Sequence, residues 1–150
     1  MRVVIQRVSS ASVSIEGKIK SNINKGLLIL LGIEEDDDAN DIEWLCKKIV
    51  ALRIFSDQED KMNLSIQDVD GDIIVVSQFT LHASTKKGNR PSYIKAARPE
   101  RAIPLYEDFK MELEKLTNKK IGSGEFGAMM EVSLVNDGPV TIIIDSRNKE

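Results

Sequence analysis

"VSLVNDGPVTIIID", residues 132–145, holds two runs of strand-forming residues with Gly138-Pro139 set between them. Proline has no N–H to give to a β-ladder, so its position there requires a reason. Two are open. Asn136-Asp137-Gly138 can be the turn of a hairpin, with Pro139 beginning the return strand. Alternatively the pair is a stiff piece of backbone presented to a ligand, with Gly138 lacking the Cβ that would hold a ligand off. Either way, the chain closes in strands, expected at 128–135 and 140–145.

Outward from this stretch the pattern alternates between strands and helices. The glycine-rich "IGSGEFG" (121–127) leads into the closing strands. Before it a helix begins near Pro99, a residue suited to a first helical turn. Ala102, Tyr106, Phe109, Leu113 and Leu116 share its inner face. Pro104 removes one backbone bond, so an irregular first turn or a later helix start is expected. "DIIVVSQF" (72–79) reads as a buried strand after an Asp70-Gly71 turn. Ile42, Leu45, Cys46, Ile49 and Leu52 form one apolar helical stripe, begun within Asp36–Asp41, whose carboxylates suit a helix N-terminus. Cys46 lies on that stripe and reads as core. "GLLILLGI" (26–33) is apolar on both faces, as in a central strand. Residues 2–8 and 11–16 read as two strands, and Lys18–Ile23 returns after Glu16-Gly17. The expectation is a single α+β domain over residues 1–150. Its curved, barrel-like sheet, mixed or antiparallel, packs with two main helices.

Apolar residues make up 41% and charged residues 30%, the balance of an ordinary globular chain. No run approaches the roughly 20 apolar residues of a membrane span, and the N-terminus enters strand alternation directly. The reading is a cytoplasmic protein with no membrane partner. A single cysteine rules out an internal disulfide, and a single histidine, His82, rules out a His/Cys metal cluster. No metal or cofactor is expected. The net charge of −3 conceals two opposed segments. "EEDDD" (34–38) is wholly acidic, whereas residues 86–101 carry six bases against the single acid Glu100. Gly88, Pro91 and Tyr93 give that basic run the character of a shaped loop, and His82 reads as a loop residue at its start.

Ser77-Gln78-Phe79-Thr80-Leu81 ends a buried strand at the mouth of this loop. It offers two hydroxyls and an amide, but no carboxylate or lysine nearby in sequence to activate either hydroxyl. Hydroxyl residues at strand ends commonly make local turn bonds.

The opening "MRVVIQRVSSASVSI", the strand end "SQFTL", the loop "KKGNRPSYIKAA" and the close "GEFGAMMEVSLVNDGPVTIIIDS", in that order, span nearly the whole chain. Together they closely resemble the D-aminoacyl-tRNA deacylase family. The resemblance implies hydrolysis of the ester joining a D-amino acid to the 3′-terminal adenosine of tRNA. It also implies cleavage of mischarged glycyl-tRNA, and a homodimer with its site near the subunit interface. Gly138 and Pro139, joined by a cis bond, would then reach into the partner's pocket and exclude L-residues. The backbone of Ser77, Gln78 and Phe79 would hold the α-amino group and ester. N–H groups around Phe79 and Thr80 would stabilise the oxyanion, and the ribose 2′-OH would activate water, with the Thr80 hydroxyl as rival. Phe126 and Gly127 would lie beside the adenine, and Arg7 would orient carbonyls next to Gly138. Lys86, Lys87 and Arg90 would meet acceptor-stem phosphates. Two alternatives stay open: a catalytically silent RNA-binding module, and a related deacylase of relaxed chirality with a trans Gly-Pro bond.

Overall fold

One strand organises the sheet in the computed structural model, which describes residues 1–149. β1 (Arg2–Ile15) runs unbroken where the sequence pattern suggested two strands. Along one edge it pairs first with β3 (Gly26–Gly32) and then with β2 (Lys18–Ile23), both antiparallel. Its other edge carries the closing strand along nearly its whole length. An irregularity between Val8 and Ser10 lets β1 change its inward face. Val3 and Ile5 enter the main core, while Val8, Ala11 and Val13 enter a second, smaller one.

Between α1 (Ala39–Ala51) and the next central strand lies a ribbon of β4 (Phe55–Ser56) and β5 (Met62–Leu64), too short to leave a sequence pattern. β6 (Asp72–Ser77) then pairs parallel with β3, and β7 (Gly122–Ser123) parallel with β6. Parallel neighbours need crossovers and cover on both faces. Leu27, Ile29, Ile73 and Val75 pack in the helix-bearing core, and Leu28, Ile74 and Val76 lie on the opposite face, inside the curl of the sheet. The Ser21 hydroxyl donates to the Ser123 carbonyl at 2.7 Å and accepts the Ser123 N–H at 3.0 Å. This link brings β2 against β7, so the mixed sheet forms a nearly closed barrel.

α1 begins on a reciprocal cap. The Asp38 carboxylate accepts the Asn40 N–H at 2.8 Å, and Asp41 accepts the Asp38 N–H at 2.9 Å. The Asn40 N–H is the largest cause of the lowered Asp38 pKa. Cys46 is fully buried, and burial, with Glu112 nearby, pushes its thiol well above the ordinary range. α2 (Pro99–Thr117) starts at Pro99 and continues through Pro104, against the expectation of an irregular first turn or a later start. The Arg98 carbonyl accepts N–H groups from Arg101 and Ala102, which closes the first turn. Pro104 faces solvent, while Ala102, Leu105, Tyr106 and Phe109 are buried around it.

The chain ends in β8 (Glu131–Asp145), one continuous strand rather than the two runs expected. Its register against β1 passes from Gln6↔Thr141 to Val8↔Asn136. Residues 137–140 therefore bulge opposite Arg7 alone, and pairing resumes on both sides. The Gly138–Pro139 bond within the bulge is cis. Among the described residues no helix is long and apolar enough to cross a membrane.

Candidate active site

The parallel strand β6 ends where the Gln78 N–H donates to the Leu31 carbonyl of β3 at 2.7 Å. The chain then enters a 3-10 turn, Phe79–His82. Leu81 donates to the Gln78 carbonyl at 3.2 Å and Ala83 to the Thr80 carbonyl at 3.0 Å. The N–H groups of Phe79 and Thr80 precede the first of these bonds and face out of the turn's N-terminal end. The Gln78 amide donates to the Thr80 hydroxyl at 2.5 Å. Among the described residues, no carboxylate or imidazole touches that hydroxyl.

Two long-range bonds root the turn. The Arg2 guanidinium donates to the Leu81 carbonyl at 2.9 Å and pairs with Asp145 at 2.9 Å. Burial opposes ionisation of Asp145, but the Arg147 N–H and Arg2 outweigh it and lower its pKa. His82, expected in a surface loop, lies beneath the turn, only 3% exposed. Its Nδ1 sits 3.2 Å from Glu34, and its ring lies against Gly32, where a Cβ would come within 2.9 Å. The missing side chain of Gly32 makes room for the imidazole. β7 runs parallel to β6, so the chain beyond Ser123 travels toward the same end of the sheet. Phe126 there packs edge-on to Tyr106, with ring centroids 6.1 Å apart, and Gly127 takes φ +78°. The Tyr106 hydroxyl donates to Val75 at 2.8 Å, and burial is the main reason its pKa is pushed up to about 12.

The Gly138-Pro139 bulge has a different root. Arg7 is buried, not exposed on an edge strand. Its Nε donates to the Asp137 carbonyl at 2.7 Å and its Nη1 to the Ile54 carbonyl at 2.5 Å. The Asn136 amide, oriented to satisfy its neighbours, donates to the Arg7 carbonyl at 2.8 Å and to Val140 at 3.3 Å. A Cβ on Gly138 would fall on the backbone nitrogen of Val140. Gly138 and Pro139 are themselves exposed. Arg2 and Arg7 stand five residues apart on β1, roughly 17 Å along a strand. Within one chain the turn and the bulge therefore lie at opposite ends of the first half of β1.

The basic segment leaves the turn as a hairpin-like loop. Ser84 and Ser92 exchange backbone bonds at 2.8 and 2.9 Å at its base. Lys86, Lys87 and Arg90 are exposed beyond it and have no acidic partner among the described residues. The acidic segment braces the loop's far end. Glu34 bridges Ala96, Glu35 accepts the Arg98 N–H at 3.2 Å, and the Asp37 carbonyl accepts from Arg101 at 2.8 Å.

Residues 4–145 match the family described as D-Tyr-tRNA(Tyr) deacylase. The chain belongs to this family. The D-aminoacyl-tRNA deacylase of Flavobacterium johnsoniae is 66% identical over 150 residues, all of both chains. That of Bacteroides thetaiotaomicron is 65% identical over the same span. The solved c-Myc DNA unwinding element binding protein superposes with a TM-score of 0.91 at 40% identity, covering 97% of this chain and 98% of its own. A probable eukaryotic D-amino acid tRNA deacylase shares the fold, with a TM-score of 0.81 at 16% identity over 95% of this chain and 97% of its own.

In this member of the D-Tyr-tRNA(Tyr) deacylase family, the turn offers donors without a protein base. The Phe79 and Thr80 N–H groups and the Thr80 hydroxyl belong to one turn, and His82 at its far end is buried. Such a site can polarise a carbonyl and hold an oxyanion. Arg2, Asp145, Glu34 and the packing of His82 carried no signal in the sequence, because each acts through a partner distant in the chain.

Proposed function

We propose that the chain hydrolyses the ester between a D-amino acid and the 3′-terminal adenosine of tRNA, using the Phe79 and Thr80 N–H groups as oxyanion donors. Hydrolysis of aminoacyl-tRNA esters is the activity for which its family and curated relatives are named. The observation that carries the mechanism is the pair of N–H groups with no acceptor among the described residues, beside a hydroxyl with no base among them. The Ser77, Gln78 and Phe79 backbone holds the α-amino group and ester, and the adenine packs near Phe126 and Gly127. The ribose 2′-OH relays a proton, accepting one from the attacking water and passing its own to the departing 3′-oxygen. Water adds to the ester carbonyl, the oxyanion sits on the two N–H groups, and collapse releases the 3′-oxygen, which takes up a proton. Each such donor is worth about 2.7–4 kcal/mol in related acyl-transfer sites.

Selectivity rests on Gly138-Pro139. Backbone atoms have no rotamer with which to move aside, so an L side chain collides with them. A D-residue or glycine presents hydrogen there, and mischarged glycyl-tRNA is cleaved as well. Arg2, which anchors the turn, and Arg7, which anchors the bulge, stand five residues apart on β1, roughly 17 Å along the strand, so the bulge serves the turn of a second copy in a homodimer. Exposed Leu134, Val135 and Ile143 on β8 fit such an interface. Lys86, Lys87 and Arg90 neutralise acceptor-stem phosphates, and the substrate places the activity in the cytoplasm.

A catalytically silent RNA-binding role is the second reading. The unpaired cations favour it, as does likeness to a protein named for nucleic-acid binding. Single-turnover hydrolysis of matched D-, L- and glycyl-tRNA separates the two. D- and glycyl-tRNA are cleaved and L-tRNA is spared on the first reading, and none is cleaved on the second. Thr80→Ala reduces the rate less than tenfold where the 2′-OH carries the chemistry. A collapse with unchanged binding assigns it to the Thr80 hydroxyl.

A further inference from the structure

Phe79 and Tyr93 form an aromatic corner that the mechanism above leaves unused. Their ring centroids are 5.1 Å apart and their planes meet at 75°. Both rings face solvent, Phe79 54% and Tyr93 39% exposed, and neighbouring Ile94 is 91% exposed. Large apolar side chains grouped on a surface mark a contact site more often than a fold requirement.

The position of the pair narrows the partner. Phe79 belongs to the turn that would hold the ester, and Tyr93 follows Ser92 at the base of the basic loop. The contact between the rings joins the turn to the base of that loop, where a strand running from the ester toward the loop's cations would meet them. Lys86, Lys87, Arg90 and Lys95 lie in the same segment, none with an acidic partner among the described residues. Cations that follow a backbone beside rings that stack on bases are the general means of holding single-stranded nucleic acid.

We infer that Phe79 and Tyr93 form a stacking platform for the unpaired nucleotide preceding the terminal adenosine of the RNA 3′ end. This rests on the tRNA reading of the site and adds a base contact to it. A stacked base contributes about 1–3 kcal/mol, or roughly 5- to 150-fold in affinity.

The experiment measures binding of uncharged tRNA by fluorescence anisotropy at fixed salt. One tRNA has its full unpaired tail, one is trimmed of it, and one has an abasic penultimate nucleotide. Tyr93→Ala weakens binding to the full tRNA fivefold or more, leaves binding to the trimmed and abasic tRNAs unchanged, and is rescued by Tyr93→Phe. Hydrolysis of a minimal D-aminoacyl-adenosine stays at the parent rate. On the parent protein the abasic tRNA alone reproduces the loss, which keeps the test valid if Tyr93→Ala folds poorly. Equal weakening of all three tRNAs, or no weakening of any, overturns the inference. So does a shift of Tyr93→Ala toward monomer in sedimentation, which would assign the rings to a contact between copies. If the parent protein cleaves no aminoacyl ester, the deacylase reading fails, while the binding comparison still judges the platform.

Discussion

The turn after β6 and the bulge in β8 are both gripped by an arginine of β1, and they are gripped in opposite ways. At the turn, Arg2 is partly exposed, and what it holds is rooted in the core by His82. At the bulge, Arg7 is buried, and what it holds stands in solvent. The difference suits the two tasks assigned to them. A reaction site is stiff because it is part of the packed interior. A projecting barrier has no packing of its own and borrows stiffness from a buried root.

Four changes test that contrast, taken from the largest effect to the smallest. Gly138→Ala places a methyl group on the Val140 backbone nitrogen and forces the bulge to move. A displacement near 1 Å at a positioned site costs about 100-fold in rate. D-tyrosyl-tRNA hydrolysis should fall by that order and the D-to-L rate ratio should shrink, and the melting temperature should fall as well because the atom displaced is backbone. Arg7→Lys removes the fork that serves Asp137 and Ile54. A buried carbonyl left without a donor costs about 1–3 kcal/mol, so the urea midpoint should fall clearly and selectivity with it. Arg2→Ala acts at a half-exposed ion pair, where about 1 kcal/mol or less is at stake. Its signature should be a several-fold drop in kcat with KM nearly unchanged, since the Leu81 carbonyl loses its anchor while the core under the turn stays intact. The smallest effect is on pH. The Asp145 pKa is lowered in the folded state. Its contribution is therefore complete above the ordinary carboxylate range near 4 and is lost as pH falls through the lowered value. Urea stability of the parent and of Asp145→Asn should differ near neutrality and converge in acid.

Much of the fold was legible because its signals are local. The alternation in residues 11–16, the two-faced apolar run of β3 and the stripe from Ile42 to Leu52 each declare their element within a dozen residues. The site motifs were legible only through resemblance, since "SQFTL" by itself is an unremarkable strand end. Other features depended on partners far away. Asn-Asp-Gly-Pro reads equally as a hairpin turn or a bulge, and the choice is made by Arg7, 130 positions earlier. His82 is polar beside polar neighbours and reads as a loop residue. It is buried because Gly32, on another strand, leaves space for its ring. Pro104 looked like a helix breaker, but the exposed ring sits over a closed first turn and a well-buried inner face.

The interval between Arg2 and Arg7 is an odd number of residues, and successive side chains of a strand leave opposite faces. One arginine therefore works on the helix-covered side of the sheet and the other on the side within its curl. Inserting or deleting a single residue between them would send both to the same side and disarm one. That short piece of β1 acts as a molecular ruler with parity: a one-residue change in its length keeps both arginines in place only where a bulge absorbs it.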